Sequence, residues 1–285
     1  MGFHLIKGTF HATGYSPDGD SIRFRAENEA NWQLLGPGRL AINSKKDVQL
    51  RLEGIDTLET HFIAPGGEVH QPRSLANAAT DFLLGHLKIT DVVWDSAHRN
   101  IVKAKDGTHG YILTRQKDIN GRPVCFVFAG TPAEKDGSNV LLDSKRLKNS
   151  INYQTLTLGN AYPTYYIGLF SDLRKTLTEA ATKARTKNLG VYKLDKTNTG
   201  FVLDRLAVII DEQPILPKLF RRLIEFIAGE EPPNLDGFLD WLAARDTTPV
   251  MIISTQHFTH FDNLIEVDGQ TVRLLELPEN LIFTP

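Results

Sequence analysis

Residues 48–60 read Val48-Gln49-Leu50-Arg51-Leu52-Glu53-Gly54-Ile55-Asp56-Thr57-Leu58-Glu59-Thr60. Val48, Leu50 and Leu52 alternate with Gln49, Arg51 and Glu53, the spacing of a half-buried strand whose successive side chains face opposite ways. Strict alternation would put Arg51 and Asp56 on opposite faces. Gly54 and a turn at Asp56-Thr57 must therefore break the strand if both are to face one site. The plainer reading is a strand that ends in an Asp-Thr turn. Against it stands the mixture of charges, because an Asp that can ligate a cation, a Glu that can act as a base and an Arg that can hold an anion rarely crowd a mere turn.

Outward from this stretch, the first half of the chain reads as short strands. Residues 19–25, 89–94 and 123–128 carry alternating or β-branched and aromatic residues. Residues 26–47 and 95–121 hold glycines and mixed polar positions and read as long excursions between strands. Helical spacing marks residues 73–87, 143–158 and a third helix from Ser171 or Asp172, as N-cap, to about Asn188. On that third helix Lys175, Lys183, Arg185 and Lys187 read as a solvated face. Residues 195–200, DKTNTG, read as a linker. Beyond it come helices at 214–228 and 235–245, a strand at 250–253, and a hairpin at 263–277 turned by Asp268-Gly269. The expected domains are thus 1–195 and a small C-terminal α+β module at 201–285.

The formal net charge of the 285-residue chain is −2. That sum averages two unlike parts. Residues 1–200 hold 26 Lys+Arg against 20 Asp+Glu, whereas residues 201–285 hold 6 against 14. The basic part suits a polyanionic partner, and the acidic part would compete with one. A single cysteine, Cys125, excludes an internal disulfide framework and a Cys-rich zinc site and reads as a buried core thiol. No apolar run approaches a membrane span, so no membrane partner is expected. The first seven residues lack the features of a signal peptide. The sequence as written is therefore expected in the cytoplasm, or outside the cell if a leader has been trimmed.

Two further clusters carry candidate chemistry. Asp18-Gly19-Asp20-Ser21 sets two carboxylates around a glycine, which makes a tight turn and could also hold a hard cation. Asp118-Ile119-Asn120-Gly121-Arg122 precedes the 123–128 strand. On spacing alone, Arg99 or Arg115 would serve as well as Arg122. His257 and His260 find no third ligand at metal spacing and read as a loop pair.

Taken in order, these clusters resemble the staphylococcal nuclease-like (thermonuclease) family. The similarity lies in Asp18-Gly19-Asp20-Ser21, in Arg51 with Asp56-Thr57-Leu58-Glu59-Thr60, and in Asn120-Gly121-Arg122. It continues through Asn152 with Gly159-Asn160-Ala161, and closes with Leu173-Arg174-Lys175 and Asn188-Leu189-Gly190-Val191-Tyr192. Ser21 stands for a threonine, Leu58 for a proline whose loss loosens the Glu59 loop, and Asn120 for an aromatic residue. The resemblance covers about residues 1–193 and leaves the C-terminal module unassigned.

The resemblance implies a five-stranded OB-type Greek-key barrel with flanking helices, an α+β, β-rich fold that often binds oligonucleotides. It implies a Ca²⁺-dependent nuclease hydrolysing DNA or RNA. Asp20, Asp56 and the Thr57 carbonyl would ligate Ca²⁺, Glu59 would activate water, and Arg51 and Arg122 would grip the phosphate. Tyr165 falls near a family tyrosine that flanks the nucleotide, though Tyr162, Tyr165 and Tyr166 would equally serve as packing residues. A non-catalytic module of the same fold, binding nucleic acid or protein, is the alternative. Retention of Asp20, Arg51, Asp56, Glu59 and Arg122 argues for the enzyme.

Overall fold

The strand Phe3–His11 buries Phe3, Leu5, Ile6 and Phe10 completely. Its backbone pairs antiparallel with Arg23–Ala26 on one side and Thr108–Lys117 on the other. This structure, a computed structural model, describes residues 2–284. The chain falls into two compact units, one formed by 1–53 and 78–155, the other by 54–77 and 156–285.

In the first unit one sheet runs Val48–Gln49, Arg23–Ala26, Phe3–His11, Thr108–Lys117, Pro123–Ala129, Arg51–Leu52. The two ends of that path are neighbours in the chain with only Leu50 between them, so the sheet curls into a nearly closed barrel. Leu50 and Leu52 donate backbone N–H bonds to the carbonyls of Ile22 and Asp20, both at 2.9 Å. The sheet has seven strand segments where five were expected, because Leu50 divides one strand into two and Asn139–Val140 adds a short pairing beside Phe3. Inside, Phe3 meets Phe126 edge-on at 5.8 Å and Phe10 lies 5.0 Å from Phe24. Cys125 is the buried thiol the sequence suggests, and burial pushes its pKa well up.

Asn152 is fully buried and ties this unit together. Its side-chain oxygen accepts from the Val127 N–H at 3.0 Å, while its amide donates to the carbonyls of Glu53 and Cys125 at 2.9 and 3.0 Å. Asn152 thereby joins buried backbone of the Glu53 segment to that of Pro123–Ala129, where the Glu53 N–H also donates to the Cys125 carbonyl at 2.9 Å.

Two readings of this half need correction. Residues 95–121 are not one excursion, since Ile101–Lys105 and Thr108–Lys117 are strands, the second with Ile112 and Leu113 fully buried. The predicted 143–158 helix is two helices, Ser144–Leu147 and Ile151–Thr157. Ser150 divides them, its hydroxyl donating to the Leu147 carbonyl and accepting from the Tyr153 N–H, as a capping serine does.

The second unit has a different composition from the predicted 201–285 module. Its apolar core joins Leu58, Ala76, Tyr162, Ala184 and Tyr192 to Phe201, Leu216, Phe220, Leu223, Phe238 and Leu281. Residues on both sides of position 200 therefore share one core, and the units divide the chain elsewhere than at 195–201. The supposed linker is part of that packing. Thr197 is fully buried, donates its hydroxyl to Asp195 at 2.5 Å and accepts the Leu216 N–H at 2.9 Å. Tyr162 donates to the same Asp195 at 2.9 Å.

Helices Ser171–Thr186 and Pro217–Ile227 flank this core. Phe170, not Ser171 or Asp172, occupies the N-cap position of the first, without a side-chain cap. Lys175, Lys183 and Lys187 are exposed as expected, but Arg185 is not solvated: it pairs with the buried Glu279 and lies 4.8 Å over the Tyr192 ring. Gly159 and Gly190 touch backbone to backbone, and a Cβ on either would stand 2.3 or 2.2 Å from the other segment's carbonyl oxygen. The strand pair Ile265–Asp268 and Thr271–Leu274 forms the expected hairpin.

Candidate functional site

The site residues fall into two clusters, one in each unit. In the first unit the Asp118–Arg122 turn is closed by its own backbone, with Asp118 N–H donating to the Arg122 carbonyl and Gly121 N–H to the Asp118 carbonyl, both at 2.9 Å. Gly121 has φ +79, and a Cβ there would stand 2.7 Å from the Arg39 carbonyl oxygen, so only glycine allows the turn to sit against residues 39–41.

Asp118 organises the arginines. Its carboxylate accepts from the backbone N–H groups of Asn120 and Arg122 and from Arg122 Nε at 2.7 Å. Arg51 Nη1 lies 3.8 Å from the same Oδ2. Thus Arg51 on its short strand and Arg122 at the foot of Pro123–Ala129 converge on one anionic oxygen. The parallel pairing of Arg51 with Val124 and Leu52 with Cys125 sets that approach. Both arginine side chains keep about a third of their surface in solvent, at 32% and 28%. Glu53 follows on the same segment and is buried. That burial lifts its carboxyl to about 7 against the pull of Arg115 and Arg51. Asp20 is partly buried, and its carbonyl accepts the Leu52 N–H beside Arg51.

In the second unit the strand does break where the sequence requires. Gly54 has φ +80, its Cβ position lies 2.8 Å from Leu177 Cδ1, and its carbonyl accepts the Thr164 N–H. Ile55–Asp56 then pairs with Tyr162–Pro163. Asp56 and Thr57 are buried. The Glu59 loop is pinned by Gln71, which is fully buried. Gln71 exchanges bonds with the Glu59 backbone, at 3.2 and 2.9 Å, and donates Nε2 to the Ile215 carbonyl at 2.8 Å. Leu58 is buried in the apolar core. The loop expected to loosen without proline is therefore anchored by a core side chain.

Asp56 and Glu59 share one cation, Arg221 of the helix Pro217–Ile227. Arg221 Nη2 and Nη1 reach Asp56 Oδ2 and Oδ1 at 2.9 and 3.3 Å, and Nη1 reaches Glu59 Oε1 at 2.5 Å. The three side chains are only 25%, 11% and 17% exposed. Burial works against the guanidinium charge, yet the two carboxylates outweigh it and hold Arg221 well above its ordinary pKa.

A hard divalent ion needs the lone pairs of these carboxylates. A guanidinium and a divalent ion cannot use the same lone pairs, so the residues as folded do not fit Ca²⁺ at Asp56. Among the described residues no group of three or more His, Cys, Asp or Glu side chains gathers as a metal site. Tyr165 is fully buried, with its hydroxyl 2.9 Å from that of Thr178. His257 is exposed on a short strand. No helix among the described residues is long and apolar enough to cross a membrane.

Sequence reasoning missed Asp118 as the hub of the arginines, Gln71 as the loop clamp, and Arg221. Asp118 had a signal in its Asp-x-Asn-Gly-Arg turn; Arg221 had none, because its partners lie 165 and 162 positions away. The chain matches no protein-family model and no curated protein.

Proposed function

We propose that this chain is a nuclease-type phosphodiester hydrolase acting on DNA or RNA, built on an OB-type barrel. The observation that carries the reading is the convergence of Arg51 and Arg122 on a single carboxylate oxygen of Asp118. Two guanidinium groups, one on the strand Arg51–Leu52 and one just before Pro123–Ala129, brought onto one anion have the chemistry to hold a phosphodiester, since each offers planar paired donors and keeps its charge. Such donors gain strength as negative charge gathers on the phosphoryl oxygens in the transition state, each contributing on the order of 10²–10³ in rate. The family resemblance gives Glu59 the part of the carboxylate that positions or deprotonates the attacking water. No step is assigned to a metal, because Arg221 holds the acidic residues.

The same Arg221 pairing supports a second reading, a non-catalytic module that binds nucleic acid through Arg51 and Arg122. One experiment separates them: the full chain is incubated with labelled single-stranded DNA and RNA, with Ca²⁺ or with chelator, and followed by gel and by fluorescence anisotropy. Cleavage that falls about 10²-fold or more in Arg122→Ala and Glu59→Gln supports the hydrolase. Binding without cleavage, weakened by Arg51→Ala, leaves the module. Neither binding nor cleavage overturns both.

A further inference from the structure

We propose that Arg221 is the resident cation of the Asp56–Glu59 pair and that it keeps a divalent ion out of the place where the family resemblance puts one. The inference rests on the reading of Asp56 and Glu59 as the acidic residues of a phosphodiester site.

The geometry is that of a filled cation position. Both oxygens of Asp56 and Oε1 of Glu59 accept hydrogen bonds from one guanidinium. The fork of Arg221 matches the carboxylate bidentately, the strongest form of this pairing. Its neighbours make it hard to displace. Leu219, Phe220 and Leu223, on either side of it in the helix, are fully buried. The Gln71 side chain bonds both the Glu59 backbone and the Ile215 carbonyl at the entrance to the helix. Carboxylates and guanidinium are thus presented to each other by two anchored segments of one unit.

The other cations of the helix are already matched. Arg222 pairs with Asp246 at 2.7 Å and with Glu225 at 3.0 Å, and Lys218 lies 3.5 Å from Asp246. Arg221 is the one whose partners come from the Asp56–Glu59 loop. An entering divalent ion would have to strip the guanidinium from both carboxylates and leave it charged in a largely enclosed position. Exclusion follows from that competition.

The test measures ion binding rather than turnover. Full-length wild type, Asp56→Asn, Arg221→Gln, and Arg221→Gln with Asp56→Asn are titrated with Ca²⁺ by calorimetry and with Tb³⁺ by luminescence, their folding checked by circular dichroism. Wild type is expected to show no Asp56-dependent binding up to about 1 mM Ca²⁺, the weak end of protein calcium sites. Arg221→Gln should gain one site at least about tenfold tighter, and the added Asp56→Asn should remove it. If Arg221→Gln does not fold, Arg221→Lys takes its place. Its single ammonium cannot span both carboxylates, so a weaker gain is expected.

Wild-type Ca²⁺ binding that Asp56→Asn abolishes would overturn the inference, as would a folded Arg221→Gln or Arg221→Lys with no gain. The two proposals fail separately. A wild type that cleaves no nucleic acid, beside an Arg221→Gln variant that gains the ion, defeats the hydrolase reading and leaves the exclusion standing. Cleavage by a wild type that binds Ca²⁺ through Asp56 does the reverse.

Discussion

Arg221 and Asp56 stand 165 positions apart in the chain and share two hydrogen bonds, Nη2 to Oδ2 at 2.9 Å and Nη1 to Oδ1 at 3.3 Å. This pair joins the most motif-like stretch of the sequence to a helix that no motif covers. It carries charge balance as well as connection, because Glu59 leans on the same guanidinium. Removing the cation leaves two shielded carboxylates side by side. We therefore expect Arg221→Gln to lose about 3–5 kcal/mol of stability, the usual cost of breaking a buried pair from one side. The triple variant Arg221→Met with Asp56→Asn and Glu59→Gln should recover most of that loss. Urea denaturation at neutral pH measures both, and a triple variant as unstable as the single would show that packing, not charge, is at stake.

Asp118 restrains the arginines that would hold a phosphate. Its replacement by Asn keeps an oxygen for the turn while removing the charge that competes for Arg51 and Arg122. Single-stranded DNA should then bind several-fold more tightly at low salt, with the gain shrinking as salt rises. Anisotropy titrations at two ionic strengths give the answer. Unchanged affinity at low salt would mean that the two guanidinium groups do not meet the nucleic acid backbone.

The legibility of the chain followed the range of each interaction. The Gly54 break, the Asp268-Gly269 hairpin and the helix at Arg73–His86 were readable because their causes lie within a few residues: a positive φ, a turn pair, a 3.6-residue stripe. Thr108–Lys117 was not, since His109, Gly110 and the neighbouring Gly107 gave it the look of a loop; pairing with Phe3–His11 and Pro123–Ala129 on its two sides makes it a strand. Gly110 is in fact required there, as a Cβ would meet the Phe10 ring at 2.3 Å. Thr197 looked like linker because its polarity is satisfied by Asp195 and Leu216, contacts that composition does not show. Of the candidate site, Arg51, Asp56 and Glu59 could be named from a local motif, and Arg122 only through the family resemblance. The charges that hold them could be found only in three dimensions.

A truncation at residue 195 should not behave as a free-standing domain. It would uncover Leu58, Tyr162, Ala184 and Tyr192, which share a core with Phe201, Leu216, Phe220 and Leu281. It would also leave Asp195 without the Thr197 donors. We expect the 1–195 chain to bind a hydrophobic dye and to lose the cooperative unfolding of its second unit, while residues 78–155 keep their strand signal. A truncated chain that unfolds in one sharp transition, with no dye binding, would place the boundary at 195 after all.

Glu53 should give the protein a recognisable pH signature. Its carboxyl titrates near 7 in the folded chain, lifted by burial from an ordinary value of 4.5, although Arg115 and Arg51 pull the other way. Between these values the native state holds a proton that the unfolded chain has released. Stability linked to Glu53 is therefore full below pH 4.5 and declines as pH rises through 7. At about 1.4 kcal/mol per pKa unit the decline amounts to roughly 3 kcal/mol. Glu53→Gln cannot ionise and should remove it, so that the variant gains on wild type at pH 8 by that margin and far less at pH 4. Guanidinium melts of both proteins across this range supply the comparison. A difference that stays constant with pH would mean that Glu53 keeps the same charge folded and unfolded.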